Sequence, residues 1–217
     1  MKRRKKLLPF WQAPRPAAEP PCLDPGGEYC DVTVLFADIE GFTSMAERLP
    51  PQEVVAMLNE YFDVMTDVVM GHGGSLDKYI GDAMMVVWEG DPASGAARAA
   101  QAALAMHAEL SHLQEKWLAE GKVPLKNRVG ISSGRVIVGQ IGSKVRQERT
   151  VIGDAVNTAA RLEALNKEFF TDIIMSQTTY DLIADRAQVK SLGVVAIKGR
   201  MAPIQIYALT GWGAHVR

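Results

Sequence analysis

Cysteine is scarce in this chain: Cys22 and Cys30 are the only two among 217 residues. Two cysteines build neither a disulfide framework nor a zinc site, so a reducing compartment such as the cytoplasm is expected. Both are expected to precede the folded region. Long apolar runs are lacking as well. A bilayer span needs about 20 consecutive apolar residues, and the stretch 7–11 is too short even for the apolar part of a signal peptide. No span is expected within the chain, and one preceding it in a longer protein is left open. His72, His107, His112 and His215 are scattered without zinc-ligand spacing, so any bound metal is expected to be held by oxygen. Neither Gly-x-x-x-x-Gly-Lys-Ser/Thr nor Gly-x-Gly-x-x-Gly occurs, which removes the P-loop and Rossmann routes to a nucleotide site. Excess charge is also missing, because the formal net charge is only −1. That balance is uneven. Residues 2–6 hold five of the 24 positive charges and leave the remainder with 19 against 25 negative. An acidic body is a poor nucleic-acid binder. The basic run is either a solvated tail or a segment that meets anionic lipid headgroups, at about 1 kcal/mol per Lys or Arg near the surface.

What is present is the composition of a soluble globular protein, 47% hydrophobic and 23% charged. The length suits one domain of ordinary size with a tail. Pro9, Pro14, Pro16, Pro20, Pro21 and Pro25, then Gly26 and Gly27, block helix and central strand alike. Residues 1–29 are therefore expected to be a flexible or extended leader, and residues 30–217 the folded domain. From Asp31 to Ala37 the chain turns apolar and β-branched, a buried strand. Pro50 and Pro51 open a helix whose apolar residues Val54, Leu58, Tyr61, Phe62, Met65, Val68 and Val69 recur at helical spacing. Residues 75–80 and 83–88 form a hairpin around Gly81-Asp82. An alanine-rich helix is expected over 93–120, strands over 126–133 and 135–141 with Gly134 between them, and a strand over 147–152. A helix over 154–165, a further helix near 176–184 and a closing strand over 204–209 complete the pattern. The order β-α-β-β-α-β predicts an α+β fold, a ferredoxin-like βαββαβ core with additional C-terminal strands and helices, its antiparallel sheet covered by helices on one face.

Within that framework a few polar residues stand out. Asp38 ends the first apolar strand and Asp82 sits in the hairpin turn. First and third segments of a βαββ unit are neighbours, so the two carboxylates can converge. Paired carboxylates flanked by glycine suit Mg²⁺ shared with substrate phosphates, although Asp in a turn is also ordinary turn chemistry. Lys78 lies four residues before Asp82, either an exposed strand lysine or part of the same site. Asn157 and Arg161 are four apart on one helix face, either a surface pair or a grip on a phosphoryl group.

Five segments carry a family resemblance. Phe36-Ala-Asp-Ile-Glu-Gly-Phe-Thr-Ser44 resembles the opening motif of the class III adenylate and guanylate cyclases. Leu76-Asp-Lys-Tyr-Ile-Gly-Asp-Ala-Met-Met85 resembles their second motif and Arg128-Val-Gly-Ile-Ser-Ser-Gly-Arg135 their third. Thr150-Val-Ile-Gly-Asp-Ala-Val-Asn-Thr-Ala-Ala-Arg161 resembles the fourth and Ile197-Lys-Gly-Arg200 the last. The motifs stand in family order over roughly residues 31–209, and the chain is identified as a member of that family.

The resemblance implies roles by position. Asp38 and Asp82 match the metal-binding aspartates, and Ile39 the residue whose backbone carbonyl also binds metal. Lys78 and Thr150 match the two base-reading positions, the second of which holds Asp in many adenylate cyclases. Asn157 and Arg161 match the pair that stabilises the transition state, and Arg128 and Lys198 match phosphate-binding positions. The implied reaction is attack of the ribose 3′-oxygen of ATP on the α-phosphorus, giving 3′,5′-cyclic AMP and pyrophosphate with two Mg²⁺ or Mn²⁺ per active site. A head-to-tail homodimer is also implied. Asp38, Asp82 and Arg128 of one chain would face Lys78, Thr150, Asn157, Arg161 and Lys198 of the other. Base choice follows hydrogen-bond polarity. Lys78 can only donate, which suits adenine N1, and Thr150 can accept from the 6-amino group. A hydroxyl can also donate, so guanylate cyclase stays an alternative, as does a non-catalytic nucleotide-sensing dimerisation module.

Overall fold

The computed structural model describes residues 27–197, 200 and 202–213. Their elements run β1 (Glu28–Ile39), α1 (Phe42–Ala46), α2 (Pro51–Gly71), β2 (Ser75–Ile80), β3 (Ala83–Glu89), α3 (Pro92–Ala119), β4 (Asn127–Gly142) and β5 (Gln147–Ile152). They continue through α4 (Asp154–Phe169), β6 (Ile173–Ser176), α5 (Gln177–Ile183), β7 (Ala187–Val195) and β8 (Ile204–Trp212). One sheet holds all the strands in the order β2-β3-β1-β4-β6-β8-β7, with β5 paired to β4. The antiparallel set β2-β3-β1-β4, with α2 and α3 as its crossovers, is the ferredoxin-like βαββαβ core. The fold is α+β.

β1 carries two apolar rows. Leu35, Ala37 and Ile39 point into a core shared with α2 and α3, while Val32, Val34 and Phe36 point into a second core with Ala155 and Ala159 of α4. A strand buried on both faces reads as a continuous apolar run, which is why the segment lacks simple alternation. α2 starts with Pro51 in its first turn and buries Met57, Tyr61, Phe62, Met65 and Val69. α3 is capped by Asp91, whose carboxylate accepts from the Ser94 amide at 2.7 Å, a contact worth about 1 kcal/mol. Its Ala96, Ala99, Ala100 and Ala103 let it lie close on the sheet, and Trp117 farther along donates to Glu60 of α2 at 2.7 Å.

Four local expectations are corrected. β1 begins at Glu28, so Cys30 lies inside the strand rather than before the folded region. Most of the expected leader, with the basic run and Cys22, falls outside the described residues. Gly134 does not split two strands: β4 is continuous over 16 residues, and Gly134 pairs with Val32 in the ladder. A Cβ there would meet the Ala155 Cβ at 3.4 Å, about van der Waals contact. The sheet is mixed, because β6 runs parallel to β4. Finally, α2, α3 and α5 share one face as expected, but α4 covers the other, sealing it with Leu162 against Ile174 and Ile206. No described helix is long and apolar enough to cross a membrane.

Gly130 sets how closely α4 can seat. A Cβ at that position would lie 2.1 Å from the Ala159 carbonyl oxygen and 2.3 Å from the Glu163 nitrogen. Both atoms are helix backbone, so the clash is relieved only by moving α4. Gly130→Ala is expected to cost about 3 kcal/mol or more, whereas Gly134→Ala, which meets only a side-chain methyl, is expected to cost less than about 1.5 kcal/mol. Urea denaturation of the two variants beside the parent checks the difference.

Candidate active site

Asp38 is the next member of the β1 row formed by Val32, Val34 and Phe36, so it emerges on the α4 side where the apolar core ends. The pairing of Ala37 with Met84 brings the β2–β3 turn alongside it. Gly81 takes the left-handed conformation in that turn, at φ +66°. Asp82 follows, and its carboxyl lies within hydrogen-bonding reach of Asp38. Burial first, then the Asp82 charge and that hydrogen bond, push the Asp38 carboxyl up to about 6, against the Ile39 amide and Arg128. Two carboxyls held together at this cost suit a divalent cation. Among the described residues no three His, Cys, Asp or Glu side chains form a complete cage. Two carboxylates and the Ile39 carbonyl at the strand end would leave coordination positions for phosphate oxygens, as Mg²⁺ prefers.

Around the pair lie two further charged groups. Arg128 pairs with Asp38 across the ladder and donates to Glu40 at 2.5 Å. Glu163, on α4, was not anticipated from sequence. Burial and then the Asp38 charge raise its carboxyl to about 7. The available signal was its position one turn after Ala159 and beside Leu162, a carboxylate on the apolar side of an amphipathic helix.

A second grouping forms on the β2–β3 hairpin. The register shifts between Leu76 and Lys78, a bulge that re-aims the side chains of Asp77 and Lys78. Lys78 Nζ lies 3.4 Å from Asp77 Oδ2 and 3.9 Å from Glu148 Oε2. Thr150 on β5 donates its hydroxyl to the same Asp77 oxygen at 3.0 Å. Lys78 and Thr150, 72 positions apart in sequence, thus meet at one carboxylate. Asp77 was also missed; nothing in its local pattern separates it from an exposed strand residue until β5 folds against it.

Asn157 and Arg161 sit one turn apart on α4, exposed and half-buried, away from the face that carries Ala155, Ala159 and Leu162. Arg128, not Arg161, is the cation acting on Asp38. Lys198 lies outside the described residues; nearby Arg200 pairs with Asp154 at the start of α4, 3.3 Å apart. Five surface cavities of 230–490 Å³ are lined by none of Asp38, Asp82, Lys78, Thr150, Asn157 or Arg161. The site residues form three groupings, in which Asn157 is exposed and Asp38, Lys78, Asp82, Thr150 and Arg161 are half-buried.

Residues 26–211 match the family described as the adenylate and guanylate cyclase catalytic domain. The chain belongs to that family. Adenylate cyclase 1 of Rhizobium meliloti is 36% identical over 83% of this chain. The chain spans only 28% of that relative's length. The crystal structure of the adenylyl cyclase CyaB from P. aeruginosa superposes with a TM-score of 0.80 at 33% identity, covering 85% of this chain and 96% of the other. That of the guanylyl cyclase Cya2 superposes with a TM-score of 0.79 at 36% identity, covering 87% and 95%. Overall likeness thus extends to an adenylyl and a guanylyl cyclase alike and does not separate the two. Divalent metal ions belong to the chemistry of this family.

The Asp38–Asp82 repulsion has a measurable sign. A raised carboxyl pKa penalises the fold above about pH 6, and the penalty vanishes below about 3.8, where folded and unfolded states are both protonated. Asp38 is half-buried, so the penalty is discounted to about 1 kcal/mol. Asp38→Asn in EDTA is therefore expected to raise the melting temperature by about 2–4 °C at pH 7.5 and to leave it unchanged near pH 4. Thermal melts at the two pH values check this.

Proposed function

We propose that this domain is an adenylate cyclase that forms cyclic AMP and pyrophosphate from ATP at the seam of a head-to-tail homodimer. The observation that carries the base choice is the meeting of Lys78 and Thr150 at Asp77. Lys78 is a donor and suits adenine N1; Thr150 supplies the acceptor for the 6-amino group. In this reading Asp38, Asp82 and the Ile39 carbonyl hold two Mg²⁺ or Mn²⁺ ions. Bound there, the ions supply charge neutralisation at the phosphates and acidify the ribose 3′-hydroxyl. Arg161 stabilises the charge that grows on the α-phosphoryl oxygens, a role for preorganised donors. Asn157 orients the ribose. Arg128 exchanges Glu40 for a phosphate, and Lys198 takes another.

A seam between two chains is supported by the partial exposure of the three groupings. It is supported further by an exposed apolar row. Tyr29, Ile137 and Ile152 lie side by side across β1, β4 and β5 and are 68%, 39% and 52% exposed, with Ile141 on the same face. Such a row on a cyclase domain favours a protein partner, here a second copy. Guanylate cyclase activity is the second reading, favoured by the 36% identity to Cya2. An ATP-consuming domain with so few cysteines fits the cytoplasm.

Purified protein with Mn²⁺ or Mg²⁺ is expected to convert ATP to cyclic AMP in preference to GTP, with activity per chain rising with protein concentration. Asp38→Ala and Arg161→Ala are each expected to be inactive alone. An equal mixture is expected to recover about a quarter of parental activity, because half of the dimers then carry one intact site. Cyclic nucleotide quantified from ATP and GTP side by side tests the assignment, and full activity in Asp38→Ala sinks it.

A further inference from the structure

We propose that Asp77 is a specificity-positioning residue: it commits the Thr150 proton, so that Thr150 meets the purine base only as a hydrogen-bond acceptor. The proposal rests on the reading of Lys78 and Thr150 as the base-reading pair and deepens it. A threonine hydroxyl alone is ambivalent, with one proton to give and two lone pairs to receive. It could serve the adenine 6-amino group or the guanine 6-oxygen. Asp77 removes the ambivalence. A carboxylate only accepts, and Asp77 Oδ2 lies 3.0 Å from Thr150 Oγ1, so the single hydroxyl proton lies between them. The lone pairs then face away from Asp77.

Three features hold this arrangement. The Asp77 side chain is only 7% exposed, so water is a poor substitute for the Thr150 proton. Turning that proton toward a guanine oxygen would leave a nearly buried charge short of one partner, and hydrogen bonds to charged groups are the costly ones to break. The bulge between Leu76 and Lys78 lets consecutive residues reach the same place, where regular alternation would send them to opposite faces. Arg149, the neighbour of Thr150, is occupied elsewhere, with its guanidinium 2.8 Å from both Glu89 oxygens. It does not compete for Asp77. Lys78 has three protons, so it can keep Asp77 and Glu148 and still give one to the base. The pair is therefore one donor beside one fixed acceptor. Adenine complements both. Guanine mismatches both, with a donor at N1 and an acceptor at position 6.

The test is competition binding of 3′-deoxy-ATP and 3′-deoxy-GTP with Mg²⁺ to the full chain, since neither analogue can cyclise. The parent is expected to prefer the adenine analogue. Asp77→Asn, nearly isosteric, offers an amide proton to Thr150 and releases the hydroxyl proton toward the base; the preference is expected to fall at least about tenfold. Thr150→Ser is expected to keep the preference. Thr150→Val is expected to lose it and to leave a second Asp77→Asn change with little further effect. A purely structural Asp77 would instead weaken both analogues equally and lower the melting temperature. That result, an unchanged preference in Asp77→Asn, or a parent that binds neither analogue or both alike overturns the proposal. A parent that prefers the adenine analogue but makes no cyclic AMP from ATP overturns the cyclase assignment and leaves the role of Asp77 standing.

Discussion

β1 is covered on both faces, and that coverage decides where its polar residues can go. One row of side chains belongs to the core under α2 and α3, the other to the core under α4. Only where α4 has passed does a member of the second row become a carboxylate, Asp38. The seat of α4 depends in turn on Gly130, which lets helix backbone approach strand backbone more closely than any side chain permits. The same contact brings Glu163 of α4 toward the strand that carries Asp38.

That position carries an electrostatic cost. Asp38, Asp82 and Glu163 gather where burial has removed much of the water that would screen them, with Arg128 as the opposing cation. Arg128 is itself shared with Glu40. A cluster so arranged is stabilised by added positive charge, which in the proposed function would come from divalent ions. The hairpin grouping follows a different logic. There Lys78 and Arg146 offset the charges of Asp77 and Glu148, and the result is directional: donors and acceptors are aimed rather than a field built. In the proposed function the first grouping would serve phosphates and the second a base.

The three groupings share one chain, and each keeps some exposure. Asn157 and Arg161 project from the outer side of α4, and the apolar row of Tyr29, Ile137 and Ile152 is left uncovered. In the proposed homodimer a two-fold axis would set each grouping opposite its complement from the other copy. One sequence can then encode both halves of two equivalent sites.

Much was legible in the sequence because it depends on local rules. The βαββαβ order, the Gly81-Asp82 turn, the proline-led α2 and the alanine face of α3 follow from periodicity and turn chemistry. Asp38, Asp82, Lys78, Thr150, Asn157 and Arg161 stood out through ordered motifs. The rest was decided by contacts between distant segments. Gly134 looked like a strand break, yet pairs with Val32 inside a continuous β4. The face on which α4 packs, the parallel pairing of β6 with β4 and the burial of Glu163 have no local signature. Asp77 is the clearest case. By itself it is a strand aspartate. Only a bulge in β2 and the arrival of β5 turn it into the acceptor that orients Thr150, because the direction of a hydroxyl proton is set by whichever charge the fold brings within reach.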